Sequence, residues 1–153
     1  FFSLWRKEGL NGWTAKALMQ FHNTNKLFLL SRSPDAKRRL GRLIAEGFDN
    51  GDRAETVALA YMTEAQKSLN VLTKSGPIAH AMERVLGKLS HNLSKMERQE
   101  VLEVIHDFRQ GLLPRSAPLT LLQHHIRRCN LDTPTHRRFM SPIPLSLGLM
   151  ARV

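Results

Sequence analysis

Residues 21–44, FHNTNKLFLLSRSPDAKRRLGRLI, contain the end of one predicted helix and the start of the next. Ser33 can cap a helix, and Pro34 suits a first turn because its missing N–H would be unpaired there in any case. The preceding helix is predicted to run from a cap at Thr14 to about Ser31. The helix after Pro34 places four apolar residues on one side, as a buried stripe requires: Leu40, Leu43, Ile44 and Phe48.

Helical signals continue along the rest of the chain, and strand signals are almost absent. Five further segments are predicted: about Arg53 to Leu72 after a cap at Asp52, about Pro77 to Leu89, Ser94 to Gln110 with a Ser94–Glu97 capping box and a stop at Gly111, Pro118 to about Cys129, and a short helix or turn from Thr133-Pro134. The tail Ser141–Val153 is predicted to be extended and packed on the body. We therefore expect an all-α fold, a single compact domain spanning 1–153 with about six to seven helices.

The length and composition favour one domain with one core, since 153 residues with 42% hydrophobic residues can fill it. Cys129 is the single cysteine, which excludes an internal disulfide framework and fits a reducing cytoplasm. No apolar run approaches the roughly 20 residues of a membrane span. Residues 1–7 lack the order of a signal peptide. The chain opens without Met, which leaves open an upstream domain.

The net charge is the strongest feature, at +10 from 23 Lys+Arg against 13 Asp+Glu. Arg outnumbers Lys, and its planar fork of donors grips phosphate and stacks on bases. Such an excess favours nucleic acid or a membrane surface as partner, or serves solubility alone. The arginines form two groups, Arg38, Arg39 and Arg42 beside Lys37 and Arg32, and Arg127 and Arg128 followed by Arg137 and Arg138. Either group can also be a solvated charge run or can offset a helix dipole.

Three histidines stand out by their spacing. His22 and Lys26 are i, i+4 and share a helical face, where they can donate to a phosphate or carbonyl. The alternative is an interhelical hydrogen bond beside a snorkelling lysine. His124 and His125 point about 100° apart, so we expect one in the core and one at the surface rather than a helical metal pair. No catalytic or metal site is predicted, and Cys129 is expected to be inert.

The stretch Phe21-His22 through Ser33-Pro34, followed by Leu40-Gly41, resembles the YbgA-like family, a domain of unknown function. Further matches follow in order along nearly the whole chain: Tyr61, Glu97 to Glu100, Phe108 to Pro114, Pro118 to Arg128, and Pro142 to Leu149. The chain departs from the family pattern at three positions. Arg32 stands where the family often has His, Lys37 where it often has an aromatic residue, and Phe139 where Tyr is frequent.

The resemblance implies a function connected with tRNA. The family occurs alone and as the C-terminal half of longer bacterial proteins, whose N-terminal half resembles a cysteine-rich, iron–sulfur-dependent thiouracil desulfidase. The fused form is associated with removing sulfur from 4-thiouridine in tRNA. We therefore expect no cofactor in this chain, because an iron–sulfur cluster would belong to a partner domain.

The leading hypothesis is an accessory domain that binds tRNA or other RNA and presents thiolated uridine to a desulfidase domain in cis or in trans. The predicted RNA contacts are His22, Lys26, Arg32, Lys37, Arg38, Arg39, Arg42, His124, His125, Arg127 and Arg128. One alternative is a stand-alone enzyme that uses the His-bearing sixth helix and Cys129. Another is a protein-interaction scaffold in which the tail Ser141–Val153 docks a partner. No membrane partner is expected, and the oligomeric state is not predicted.

Overall fold

The computed structural model describes residues 1–9, 12–70 and 72–140, apart from the side chains of residues 7 and 8. These residues form helices and connecting turns, without a strand among them, so the all-α prediction is confirmed. The helices are α1 Phe2–Glu8, α2 Ala15–Arg32, α3 Pro34–Asp49, α4 Ala54–Leu69, α5 Ser75–Leu89, α6 Lys95–Arg109, α7 Ser116–Arg128 and α8 Pro134–Met140, with a 3-10 turn at Ser90–Asn92. The predicted extended tail, 141–153, lies outside the described residues.

Two predicted helix starts are wrong by two residues for the same reason. The start of α5 was placed at Pro77 and that of α7 at Pro118, but the helices begin at Ser75 and Ser116. Each proline is the third residue of its helix. The first turn has no intrahelical acceptor for its N–H groups, so proline fits there without losing a hydrogen bond.

The other helix ends follow local capping chemistry. Ser33 caps α3 through its side chain, and Ser94 and Glu97 form the predicted capping box of α6. Gly111 adopts a φ of +78°, the left-handed conformation predicted after α6. Asp52 is not the cap of α4, because that position belongs to Arg53, which makes no capping bond. The same helix ends at Leu69 instead of Leu72.

Helix α2 is the centre of the domain and divides its core into two clusters. Its apolar residues point to several sides, as expected of a helix surrounded by others. Leu18, Phe21 and Leu29 join the cluster formed with α1, α3 and α4, here called the N-terminal core. Leu27 and Leu30 join the cluster formed with α5 to α8, the C-terminal core. The residues of α2 that lie between these two faces are therefore near the surface, at the boundary between the N-terminal and C-terminal cores.

Helix α1 was not predicted from the sequence. Its Trp5 packs into the N-terminal core, where the indole ring stacks on Trp13 at 4.1 Å and on Tyr61 at 5.4 Å between ring centroids. Burial of large aromatic rings stabilises a helix this short, since seven residues have little helical stability alone. This packing also covers Tyr61, a residue of the site described below.

Candidate nucleic-acid interface

The helical hairpin of α2 and α3 brings His22 against Gly41. A Cβ added at Gly41 would lie 3.4 Å from Nε2 of the His22 ring, at the short end of ordinary van der Waals contact. Glycine at this position therefore lets α3 approach the imidazole. The approach also brings Lys26 and Lys37 near His22, one from each helix.

His22 is held in position by Tyr61 of α4. Nδ1 of His22 and the Tyr61 hydroxyl are 3.1 Å apart, and Tyr61 is fully buried. Burial raises the pKa of Tyr61, so its hydroxyl keeps its proton. His22 is the one hydrogen-bond partner of this hydroxyl among the described residues. A buried hydroxyl proton without an acceptor is costly, so we assign Tyr61 as the donor to Nδ1. The His22 proton then sits on Nε2, beside Gly41.

His22 is neutral at physiological pH. Burial, followed by the positive charges of Lys37 and Lys26, lowers its pKa from 6.5 to about 4. Neither lysine has a carboxylate within ion-pair distance among the described residues. The arrangement therefore combines a neutral N–H donor with two cations that have no internal counter-ion.

A groove of about 380 Å³ opens beside His22 between α2 and α3. Its walls are mainly apolar, from Met19, Ile44 and Phe48, and Asn23 and Asp49 add polar groups. A largely apolar concavity with a few polar groups is typical of sites for small, flat ligands or ligand moieties. The groove, His22, Lys26 and Lys37 are here called the hairpin site.

Each of the three arginines on α3 that were predicted to contact RNA forms an ion pair with an acidic residue. Arg38 pairs with Asp35, and Arg42 lies 4.0 Å from Glu46. Arg39 on α3 donates to Glu64 on α4 at 2.8 Å.

Arg39 also donates to Ser68 at 3.0 Å. The hydrogen bond from Arg39, followed by one that the Ser68 hydroxyl donates to Glu64 at 2.7 Å, lowers the pKa of Glu64. Arg38 and Arg42 remain well exposed, so they still face water, but each begins from an ion pair that an RNA phosphate would have to replace.

The second Arg-rich group lies in the other half of the domain, on α7. His125 is buried and His124 is exposed, as predicted for adjacent histidines on a helix. Burial lowers the pKa of His125. Arg128 donates to Glu97 at 2.7 Å and lies 3.4 Å from Nδ1 of His125, which ties α7 to α6.

Arg127 is exposed and has no acidic partner among the described residues. Because α7 packs in the C-terminal core and α3 in the N-terminal core, the two Arg-rich groups belong to different parts of the fold.

Arg32 is separate from both groups. Its Nη1 donates to Thr73 at 2.5 Å, and its guanidinium carbon lies 5.6 Å above the ring of Phe28. It belongs to the end of α2 and the segment before α5. Arg32 and Lys37 are therefore close in the sequence but lie in different surroundings in the structure: Arg32 contacts Thr73 and Phe28, whereas Lys37 lies near His22.

Tyr61 and Gly41 are residues that the family resemblance marked but that were not predicted to belong to a site. Tyr61 is 39 positions from His22, and no local pattern connects the two. Besides the family match, the place of Tyr61 on the apolar stripe of α4 was a signal, since a buried hydroxyl requires a partner. Gly41 fell inside a helix, where a glycine that is costly for the helix often permits a close approach.

The described residues hold no group of three or more His, Cys, Asp or Glu side chains placed to bind a metal ion. Cys129 is half-buried and packs against the C-terminal core. None of the helices in the described part of the chain is long and apolar enough to cross a membrane.

Comparison with known proteins identifies the family. The profile of the family described as "Protein of unknown function (DUF1722)" matches residues 26–144. The chain belongs to this family. Among relatives of this DUF1722 chain is the "Uncharacterized protein YbgA" of Escherichia coli (strain K12), 26% identical over 125 residues that cover 76% of this chain and 68% of the relative. The YbgA-like resemblance is thereby confirmed. No solved structure matches the chain.

Proposed function

We propose that this chain is an RNA-binding module and that the hairpin site is its contact with RNA. The observation that carries the proposal is the proximity of Lys26 and Lys37 to His22, together with the absence of an ion-pair partner for either lysine in the part of the chain that the structure describes. Each lysine adds positive charge beside His22, so an external anion bound there would be attracted by both. The net charge of +10 supports a polyanion as the source of that anion.

The groove beside His22 supports RNA over a simple phosphate ion. An unstacked base can enter an apolar groove of this size, and single-stranded RNA offers such bases in loops and bulges. The Nε2 proton of His22 would donate to a carbonyl or ring nitrogen on the edge of the base. Because His22 is neutral, it would recognise a hydrogen-bond acceptor on the base and would not add to the positive charge that binds the RNA backbone.

We further propose tRNA as the RNA and an iron–sulfur desulfidase, in cis or in trans, as the enzyme that the module serves. This part rests on the family resemblance alone. In this proposal the module holds tRNA and presents thiolated uridine, while the desulfidase supplies the iron–sulfur cluster and removes the sulfur. The basic side chains of α7, above all Arg127, would add contacts to the RNA backbone.

The test is a filter-retention titration of tRNA across a salt series. The variant Lys26→Ala/Lys37→Ala should reduce the salt slope by roughly 1.4 to 1.8, since each lost phosphate contact removes about 0.7 to 0.9. Lys88→Ala/Lys95→Ala is the matched control, because it removes the same charge from exposed positions on α5 and α6. The control should leave the slope nearly unchanged.

Two results would refute the proposal. One is the absence of tRNA binding by the wild-type chain at low salt. The other is an equal reduction of the slope by both double variants, which would mean that bulk charge and not the hairpin site holds the RNA. The desulfidase part is tested separately, by measuring the loss of 4-thiouridine from tRNA with an iron–sulfur desulfidase in the presence and absence of the wild-type chain.

A further inference from the structure

His136, on α8, is a buried histidine with one ring nitrogen left unpaired. The residue is 2% exposed, and its Nδ1 lies 2.7 Å from the backbone oxygen of Leu131. Because a carbonyl oxygen can only accept, we assign the proton of the neutral ring to Nδ1, which leaves Nε2 with a lone pair. Nε2 is buried and has no hydrogen-bond partner among the described residues. An unpaired buried acceptor costs free energy, so a ligand that donates to Nε2 would gain from the pairing.

The turn between α7 and α8 holds the His136 ring in this orientation. Asn130 adopts a φ of +52°, a left-handed conformation just past the end of α7, and the Leu131 N–H donates to the backbone oxygen of Ile126 at 3.0 Å. In the first turn of α8 the Thr133 hydroxyl accepts from the backbone N–H of His136 at 3.3 Å. These bonds fix the backbone on both sides of the Leu131 carbonyl. The neutral imidazole therefore keeps Nε2 as its acceptor.

A cavity of about 160 Å³ lies beside His136, between α7 and α8. It has many times the space that one water needs, so a small polyatomic ligand can enter it. His136 is one of its lining residues, and four other polar or charged residues share the cavity: Gln123, Arg127, Asp132 and Arg137. The cavity thus joins a buried acceptor to charged side chains from α7, α8 and the turn between them.

The charged residues of this cavity favour an anion. Arg127 is exposed and forms no ion pair in the part of the chain that the structure describes. Arg137 lies 3.6 Å from Asp132, which is within ion-pair distance but longer than a charge-assisted hydrogen bond. Two guanidinium groups against one carboxylate leave the cavity with an excess of positive charge. Arg127 alone could serve to offset the dipole at the end of α7, but that role does not account for the unpaired acceptor of His136.

We propose that this cavity binds a phosphate group that carries a proton. The arginine forks and the Gln123 amide would donate to the phosphate oxygens, and the P–OH group would donate to Nε2 of His136. Inorganic phosphate keeps a proton at neutral pH, and a phosphate monoester keeps one at about pH 6. The backbone phosphate of RNA is a diester and has no proton to donate. The site is therefore distinct from the proposed RNA contact, and it stands or falls independently of the hairpin site.

The test compares phosphate with sulfate by isothermal titration calorimetry at pH 8, with chloride keeping the ionic strength constant. Sulfate has the same tetrahedral shape but no proton at this pH, so it leaves Nε2 unpaired. The wild-type chain should bind phosphate about tenfold or more tightly than sulfate, the factor expected for one hydrogen bond to a charged group. The proposal is overturned if phosphate does not bind, or if sulfate binds as tightly as phosphate.

Three variants separate recognition by the cavity from a role in folding. The amide of His136→Asn can still donate to Leu131 but has no atom at the position of Nε2, so this variant should bind the two anions with nearly equal affinity. Arg127→Met should weaken the binding of both anions several-fold and keep the preference for phosphate. Arg98→Met, at an exposed position on α6, is the matched control and should change neither affinity.

A purely structural role for His136 would give a different pattern. His136→Asn would then lower the midpoint of thermal unfolding and leave the ratio of the two affinities unchanged, which would overturn the proposal. Arg127→Met decides the case in which His136→Asn fails to fold, because Arg127 is exposed and its replacement leaves the buried ring in place. An unchanged phosphate affinity in Arg127→Met would count against the site.

Competition at pH 6 identifies the source of the phosphate. Methyl phosphate is a monoester that carries a proton at this pH, so its displacement of inorganic phosphate would show that the site takes the phosphate of a small metabolite. If methyl phosphate does not compete, the ligand is inorganic phosphate alone. Dimethyl phosphate is a diester without a proton, and displacement of phosphate by an equal concentration of it would overturn the proposed role of His136.

Discussion

Acidification should destabilise this domain through His22. The pKa of His22 is about 4 in the folded chain and 6.5 when the side chain is free of its surroundings. Above pH 6.5 the imidazole is neutral in both states and does not affect stability. As the pH falls from 6.5 towards 4, the unfolded chain takes up a proton that the folded chain resists, so stability is lost over this window.

The magnitude follows from the difference in pKa. At about 1.4 kcal/mol per pKa unit, the full difference corresponds to about 3 kcal/mol. His22 is half-buried, and solvent screening reduces the effect to about 2 kcal/mol. Burial is the main cause of the low pKa of His22, followed by the positive charges of Lys37 on α3 and Lys26 on the same helix.

Urea denaturation at pH 7.5 and pH 4.5 measures the effect. Other groups titrate between these pH values, so the comparison is with His22→Gln, which can still hydrogen-bond Tyr61 but cannot be protonated. Between the two pH values the wild type should lose about 2 kcal/mol more than His22→Gln. His91→Gln removes an exposed imidazole and is the control. The reasoning is refuted if wild type and His22→Gln lose equal stability on acidification.

Two further predictions concern the scaffold. Gly47→Ala should destabilise the fold by about 1 to 3 kcal/mol, because the added Cβ would lie 2.7 Å from Cγ2 of Val57, whereas Gly87→Ala in open space should be neutral or stabilising by up to about 1 kcal/mol; urea denaturation at pH 7.5 compares them. Ser94→Ala should cost about 1 kcal/mol, since it removes the acceptor for the Glu97 N–H at 3.2 Å, and thermal unfolding measures the loss. A Gly87→Ala loss as large as that of Gly47→Ala, or an unchanged midpoint for Ser94→Ala, would contradict these contacts.

Local signals in the sequence predicted most of the fold. The Ser33-Pro34 start, the Ser94–Glu97 capping box and the Gly111 stop depend on neighbouring residues, and each has the predicted structure. Helix α1 has no such signal, because it makes no side-chain capping bond and is stabilised by distant aromatic rings. Propensity and spacing cannot foresee an element that depends on tertiary packing.

The candidate site residues, too, were predicted only in part from the sequence. The i, i+4 spacing of His22 and Lys26 predicted their shared face, but Tyr61 and Lys37 reach them only through helix packing. The Arg-rich stretch on α3 is conspicuous in the sequence, yet Arg39 is paired with Glu64, 25 residues away.

A run of positive charge in the sequence thus shows where cations are concentrated, but it does not show which of them are free of ion pairs and available to bind a partner. Availability depends on carboxylates brought in from other helices, and those positions are set by the tertiary fold.

Helix α2 explains why His22 and Arg32 lie in different surroundings. His22 and Arg32 are ten residues apart, which is about 15 Å along the axis and about 80° around it. His22 therefore meets α3 and α4 at the N-terminal core, while Arg32 meets Thr73 in the segment before α5. A helix packed against others on most sides leaves polar residues accessible only where neighbouring helices diverge. The central position that gives α2 apolar faces toward both cores thus also separates His22 from Arg32, although one helix carries both.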